Sequence, residues 1–367
     1  MPNLNALDQM LAVLRTPERA AEFASQPVVW REIKRLAEVH RFTAQLAYSS
    51  SAWLPPSERA WRDQTLMTHH RRHAQRLAAL RRLVEAFAEE SIECVSLKGP
   101  LLAERLYNPA FLRPAKDLDL LVRENDIGRA ARLMLKLGFV LMGSDPWRIQ
   151  RFASHHLGFR DGRALEVEVH YAIRAGRNRL DPARYIERSV TWRAGAGFEA
   201  RILSPADEAF HSCLHAASHA FRRLRWIYDF LWITRGLTAE ERTIVHRMVR
   251  EHGEAGPFAA ATVALRLFFA ESPALDWGDF AIPWLWCPLG ERHIRAMVER
   301  VEGGGNLRMT SRLLEKFTGR LDMGRLAGNP MKAAQVAAYF IGRMLLVRAY
   351  GFQRTSKPNA LLTSLPD

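Results

Sequence analysis

Two aspartates spaced two apart, Asp117 and Asp119, open an apolar run, D-L-D-L-L-V, that ends at Val122. Leu118, Leu120, Leu121 and Val122 argue for an extended chain. Side chains alternate along a strand, so both carboxylates point to one face. Like charges side by side repel, and a bound divalent cation would offset that cost. A second acidic segment, L-E-V-E-V-H, runs from Leu165 to His170. Its strict alternation puts Glu166, Glu168 and His170 on one face of a strand and Leu165 with two valines on the other. Taken alone, it reads as a half-exposed strand with its polar side in water. Two strands with acidic faces in one small sheet change that reading. Asp117, Asp119 and either Glu166 or Glu168 would make an oxygen-rich site suited to Mg2+, which prefers carboxylates plus substrate phosphates. Two such ions stabilise the attacking and leaving oxygens of a phosphoryl or nucleotidyl transfer.

Lys98-Gly99-Pro100 supplies a second element of the same chemistry. A glycine at a strand-to-helix turn lets backbone N–H groups approach a phosphate, and Lys98 adds a point charge. The bland reading of Lys-Gly is a simple turn. It gains weight by ending the strand next in sequence to the one bearing the aspartates. Arg113 and Lys116, in the loop before Asp117, either meet a triphosphate or offset the local acid.

The elements that must position these groups follow from periodicity. Residues 1–90 read as helical throughout, with Leu7, Met10, Leu11 and Leu14 at helical spacing. A long helix introduced by Pro55 and Pro56 carries a basic face, from His69 to Arg76, either solvated or touching a phosphate backbone. From Ser91 the pattern mixes strand and helix. Ile92–Leu97 is β-like, and Pro100–Tyr107 is a short helix with proline at its first position. Glu124–Leu137 is helical, Phe139–Met142 a strand, and His155–Arg160 and Leu165–His170 form a hairpin around Asp161-Gly162. Ser204-Pro205 starts a return to helix over Ala206–Phe221, Leu224–Leu237, Ala239–His252, Pro257–Ala270, Glu291–Val301, Leu307–Phe317 and Met331–Tyr350. Glycine-rich breaks fall at Gly303–Gly305 and Gly328–Pro330, and a frayed tail is expected from Ser356. The predicted class is α+β, with a helical region over 1–90, a mixed-sheet domain over 91–204 and a helical domain over 205–367.

His211, His215 and His219 lie at i, i+4 and i+8 on the first of those later helices, a spacing that suits Zn2+. Only Asp207 and Glu208 lie near as further ligands, so packing against the sheet is the alternative. Arg222, Arg223 and Arg225 follow, with Asp229 a partner for one of them. No G-x-S-x-G elbow, Walker A loop or G-x-G-x-x-G fingerprint is present. This argues against a serine hydrolase, a P-loop ATPase and a dinucleotide oxidoreductase.

Composition agrees with an anionic partner without requiring one. The net charge of +14 over 367 residues fits nucleotide, nucleic acid or polyphosphate, and equally an arginine-favouring composition. Cys94, Cys213 and Cys287 show no C-x-x-C spacing, as in a reduced cytoplasmic chain. The N-terminus lacks a signal-peptide pattern. Ala333–Val347, interrupted by Arg343, is too short for a membrane span, so no membrane insertion is expected.

The arrangement L-K-G, Tyr107-Asn108-Pro109, Arg113, D-L-D-L-L-V and E-V-H resembles the polymerase-beta-like nucleotidyltransferase superfamily. Within it, the likeness is to a bacterial group of nucleotidyltransferase family proteins, some encoded beside peptide natural-product genes. L-H-A-A-S-H and R-L-R-W-I-Y-D-F resemble the helical segment that follows the catalytic domain there. The resemblance implies that Asp117, Asp119 and Glu168 hold two catalytic Mg2+ ions, with Glu166 as a substitute for Glu168. It places a nucleoside triphosphate at Gly99, with Lys98, Arg113 and Lys116 near it. It implies transfer of a nucleoside monophosphate to an acceptor hydroxyl of RNA, protein, peptide or small molecule, with Glu168 or a hydroxide beside it taking the proton. Two departures stand out: Lys-Gly-Pro replaces the group's Gly-Ser or Gly-Gly turn, and the third acid is Glu rather than Asp. Alternatives are a catalytically inactive binder of nucleic acid or peptide on the same fold, and a histidine-metal hydrolase.

Overall fold

The computed structural model describes residues 5–271 apart from 144–146, 148–149, 152–153, 175–179 and 220, together with 273, 291–292, 294–295, 298 and 365. The predicted helices Leu307–Phe317 and Met331–Tyr350, both glycine-rich breaks, the tail and most of Glu291–Val301 lie outside the described residues. Two compact units are present. One takes in the chain up to Arg72, the segment Leu106–Pro114 and the helices from Ala209 on; the other takes in His73–Arg105 and Ala115–Glu208. The α+β class expected from the sequence is observed.

In the helical unit, α1 (Ala6–Arg15), α2 (Arg19–Ala24), α3 (Pro27–Val39) and α4 (Thr43–Ser49) precede the long α5 (Arg59–Glu89), whose residues from His73 onward belong to the sheet unit. The α5 residues Leu77, Leu80, Leu83 and Phe87 recur every three or four positions and are buried, so one stripe of this mostly polar helix packs against the sheet.

The sheet unit continues with β1 (Cys94–Ser96), α6 (Pro100–Leu106) and β2 (Asp117–Val122). Then come α7 (Ile127–Lys136), β3 (Val140–Met142), β4 (His156–Arg160) and β5 (Glu166–His170). Last are α8 (Pro182–Glu187), β6 (Val190–Arg193) and β7 (Glu199–Ile202). The seven strands run in the order β3-β4-β5-β2-β1-β7-β6. The hairpin β6–β7 and α8 are not predicted from the sequence. The β4–β5 hairpin is as expected, but its turn is set by Asp161, whose Oδ1 accepts from the N–H groups of Arg163 and Leu165. Ala164, not Gly162, takes the left-handed φ of 62°.

Strand β2 is central, parallel to β5 and antiparallel to β1. Leu118, Leu120 and Val122 face a core shared with Val167, Val169, Leu157, Phe159 and the apolar stripe of α7. Each such side chain contributes roughly 2 kcal/mol by leaving water. That apolar face fixes which way β2 lies, and a one-residue slip would turn the aspartates into the core.

The turn between β1 and α6 depends on Gly99, at φ 81°. Ser96 Oγ donates to the Lys98 carbonyl across it (3.1 Å). A Cβ at Gly99 would meet only the Asp117 carbonyl oxygen at 3.7 Å and Leu118 Cδ2 at 3.9 Å, ordinary contacts. The cost of a side chain there is therefore conformational, about 1–2 kcal/mol.

Helix α9 (Pro205–Ser218) starts in the sheet unit at Ser204, whose Oγ accepts from the Asp207 N–H. Beyond it, α10 (Leu224–Arg235), α11 (Ala239–His252) and α12 (Ala255–Phe269) complete the described helical unit. Tyr107 Oη and the Arg113 guanidinium both donate to the buried Asp229 carboxylate. Asp229 is thus met by Arg113 and Tyr107. Arg225 instead lies over the Phe42 ring, 4.0 Å from its centroid. His40 is fully buried and accepts from the Leu224 N–H through Nδ1 (3.4 Å).

Two outcomes follow. Gly99→Ala should lower the melting temperature by a few degrees without changing secondary structure by circular dichroism. Burial first, then the charge of Arg35, pushes His40 down to about 4. The unfolded chain therefore binds a proton there below about pH 6.5 that the folded chain refuses, and stability falls as pH drops from 6.5 to 4. At pH 4 this loss is about 3 kcal/mol. Melting curves across that window should show a smaller decline for His40→Gln than for the parent.

Candidate functional site

The face of the sheet opposite the apolar core carries the acids. Register sets Asp117 beside Glu166 and Asp119 beside Glu168 on the parallel neighbours β2 and β5. Central position makes Asp119 almost inaccessible, with 1% of its side chain exposed. Its Oδ1 is 3.1 Å from Lys98 Nζ and 3.1 Å from His170 Nε2. His170 Nε2 also lies 3.4 Å from a Glu168 oxygen, and the other Glu168 oxygen is 3.7 Å from His156 Nε2.

The electrostatics follow from this packing. Burial raises the Asp119 pKa, but the Lys98 ammonium and the His170 hydrogen bond outweigh it and hold the carboxyl below the ordinary aspartate value. For Asp117, burial and the neighbouring Asp119 charge win, and its pKa is raised despite Lys98. Burial likewise opposes the charged form of Glu168, yet His170, His156 and Lys98 pull its pKa well below the usual carboxylate range. Burial disfavours charge on Lys98 and His170 too; the carboxylates beside them more than compensate, and both pKa values are raised. His156 goes the other way: burial dominates over Glu168, and its imidazole is pushed down to about 4.

Asp119 Oδ2 is buried without a hydrogen-bond partner. A buried carboxylate oxygen left in this state is costly unless something cationic meets it. One oxygen each of Asp119 and Glu168 and one nitrogen of His170 lie within 4.8 Å of one another. The donors present therefore fit a divalent cation.

The residues predicted for the site fall into two groups. Asp117, Asp119 and Glu168 share one face, and Lys98 reaches that face from the end of β1. Glu166 lies on the same face beside Asp117 but is taken up by ion pairs with Lys116 and Arg160. Lys116 is exposed through its side chain, while its backbone carbonyl accepts from Arg76. Arg113 belongs to the helical unit, where its guanidinium engages Asp229. His156 is the neighbour of Glu168 that sequence reasoning missed. The signal was available in the hairpin: antiparallel pairing sets His156 opposite His170.

The helical histidines make a different structure. The His215 ring lies tilted against that of His219 at 4.8 Å and meets the Trp226 ring edge-on at 5.0 Å between centroids. Among the described residues, the groups with converging metal donors lie elsewhere. Asp207 and Glu208 form ion pairs with Arg188 and Arg105.

The described residues contain no helix long and apolar enough to cross a membrane. No curated protein matches the chain. The profile of a family described as "Uncharacterised nucleotidyltransferase" matches residues 26–270. That match spans the β1 turn, both acidic strands and the helices through α12, and the chain belongs to this nucleotidyltransferase family.

Proposed function

We propose that the chain transfers a nucleoside monophosphate from a nucleoside triphosphate to an acceptor hydroxyl, releasing pyrophosphate, with a divalent cation of the Mg2+ class. The observation that carries this reading is the cluster of buried Asp119 and His170 with half-buried Glu168, and Asp117 two residues from Asp119 along the same strand face. Asp117, Asp119 and Glu168 would hold the cation, which when bound neutralises charge developing on the phosphate oxygens. Glu168 is favoured over Glu166 because the latter is engaged by Lys116 and Arg160 at the margin of the site.

Within this reading, the residues of the chain do three things. The Gly99 turn brings the backbone close to the triphosphate, and Lys98 meets its charge. Lys98 keeps Asp119 ionised until the substrate arrives. Glu168 would orient the acceptor hydroxyl by accepting its hydrogen bond; a carboxylate held this far below its usual range is a weak base, so the proton would leave to solvent as the attack proceeds. Lys116 would assist the triphosphate at the rim. Arg113 would act at a distance, holding the loop that leads into β2 through Asp229. Catalysis is then positioning and charge neutralisation, with no covalent intermediate on the protein. The intact acidic set of Asp117, Asp119 and Glu168 on one face weighs against the non-catalytic alternative.

Asp117→Ala should reduce Mg2+-dependent transfer of label from nucleoside triphosphates to a cell-extract acceptor by roughly 100-fold or more, with the circular dichroism spectrum unchanged. Transfer at the parental rate would contradict the assignment. In the same assay, Glu168→Gln should be as severe as Asp117→Ala, while Glu166→Gln should stay within a few-fold of the parent.

A further inference from the structure

Beside the carboxylates lies a cluster of imidazoles, of which the transfer reaction draws on His170, as the partner of Asp119. His155, His156 and His170 form a triangle of rings with centroid separations of 4.8, 5.2 and 5.1 Å. One ring nitrogen from each falls within 4.8 Å of the other two. The fold builds this triangle deliberately. His156 and His170 are opposed across the antiparallel pair β4–β5, so their side chains leave the same face. His155 precedes the strand, and adjacent strand residues ordinarily point to opposite faces. Here the chain bends at His155. The His155 carbonyl still accepts from the Tyr171 N–H, while Ser154 Oγ and Gln150 Nε2 both donate to the His156 carbonyl. That bend lets the third ring join the other two.

The nitrogens of His156 and His170 are differentiated. Both Nε2 atoms face carboxylates, His170 toward Asp119 and Glu168 and His156 toward Glu168. Both Nδ1 atoms are buried without a hydrogen-bond partner. A metal-bound histidine characteristically uses one nitrogen for the ion and the other to reach a carboxylate, which fixes the ring and strengthens the ligand. Three imidazoles with a remaining open position suit a borderline transition metal such as Zn2+ better than Mg2+, which takes oxygen ligands.

We infer that His155, His156 and His170 form a transition-metal site of the Zn2+ class, distinct from the carboxylate site and sharing His170 with it. Asp119 and Glu168 act there as carboxylate partners of the ligating rings. This assignment stands on the imidazoles alone and does not depend on whether the chain transfers nucleotides.

The test is metal binding by the full chain after treatment with chelator. Equilibrium dialysis against buffered Zn2+ should give one ion per chain. Co2+ in its place should give intense visible ligand-field bands, a signature of low-coordinate nitrogen ligation that needs no variant. His155→Ala and His156→Ala, each checked by circular dichroism, should weaken Zn2+ binding by roughly 100-fold or more. Absence of stoichiometric Zn2+, absence of the Co2+ bands, or binding unchanged in both folded histidine variants would each overturn the site. So would binding lost in Asp119→Asn but retained in both histidine variants, because the ion would then sit on the carboxylates.

Discussion

Everything at the sheet's acidic face depends on keeping Asp119 ionised while almost wholly removed from water. Moving a carboxylate into such surroundings costs several kcal/mol even after relaxation. Two neighbours offset it: Lys98, reaching across from the end of β1, and His170, from β5. Breaking such a buried pair by removing one partner typically costs 3–5 kcal/mol. The position of β2 between β1 and β5 is therefore an electrostatic requirement as well as a packing one. Both strands that flank the aspartates bring a cationic or hydrogen-bonding partner.

The compensation is deliberately incomplete. Asp119 Oδ1 is met twice and Oδ2 not at all. Asp117, at the start of the strand, carries a raised pKa because of burial and because Asp119 lies beside it. A site balanced in this way has charge to spare for an incoming cation, and the lysine and histidine hold its geometry beforehand. Strand β5 carries both Glu168 and His170, while β4 and the bend before it bring His156 and His155, so oxygen-rich and nitrogen-rich donor sets meet at His170.

Much of this was legible in the sequence, for physical reasons that differ by residue. Alternation in D-L-D-L-L-V and L-E-V-E-V-H gave both strand assignments and the shared face, because a period of two has one structural meaning when one side is apolar. The family resemblance pointed to the same residues. Alternation could not choose between Glu166 and Glu168, which point the same way; only register and the positions of Lys116 and Arg160 separate them. The partners of Asp119 and Asp229 depend on contacts across the fold, which no local pattern encodes. The hairpin β6–β7 was missed because V-T-W-R and E-A-R-I, though they alternate, are only four residues each, too short for a period to stand out. His155 was missed as a neighbour of His170 because a bend, not a strand, puts it there.

The most direct measurement is calorimetric titration of the full chain with a nucleoside triphosphate analogue that cannot be cleaved between its α and β phosphates, with and without Mg2+. The predicted result is saturable binding of one nucleotide per chain that requires Mg2+ and is lost in a folded Asp119→Asn variant. No binding, or binding of equal strength without Mg2+ and in Asp119→Asn, would contradict the account of this face as a cation-dependent nucleotide site.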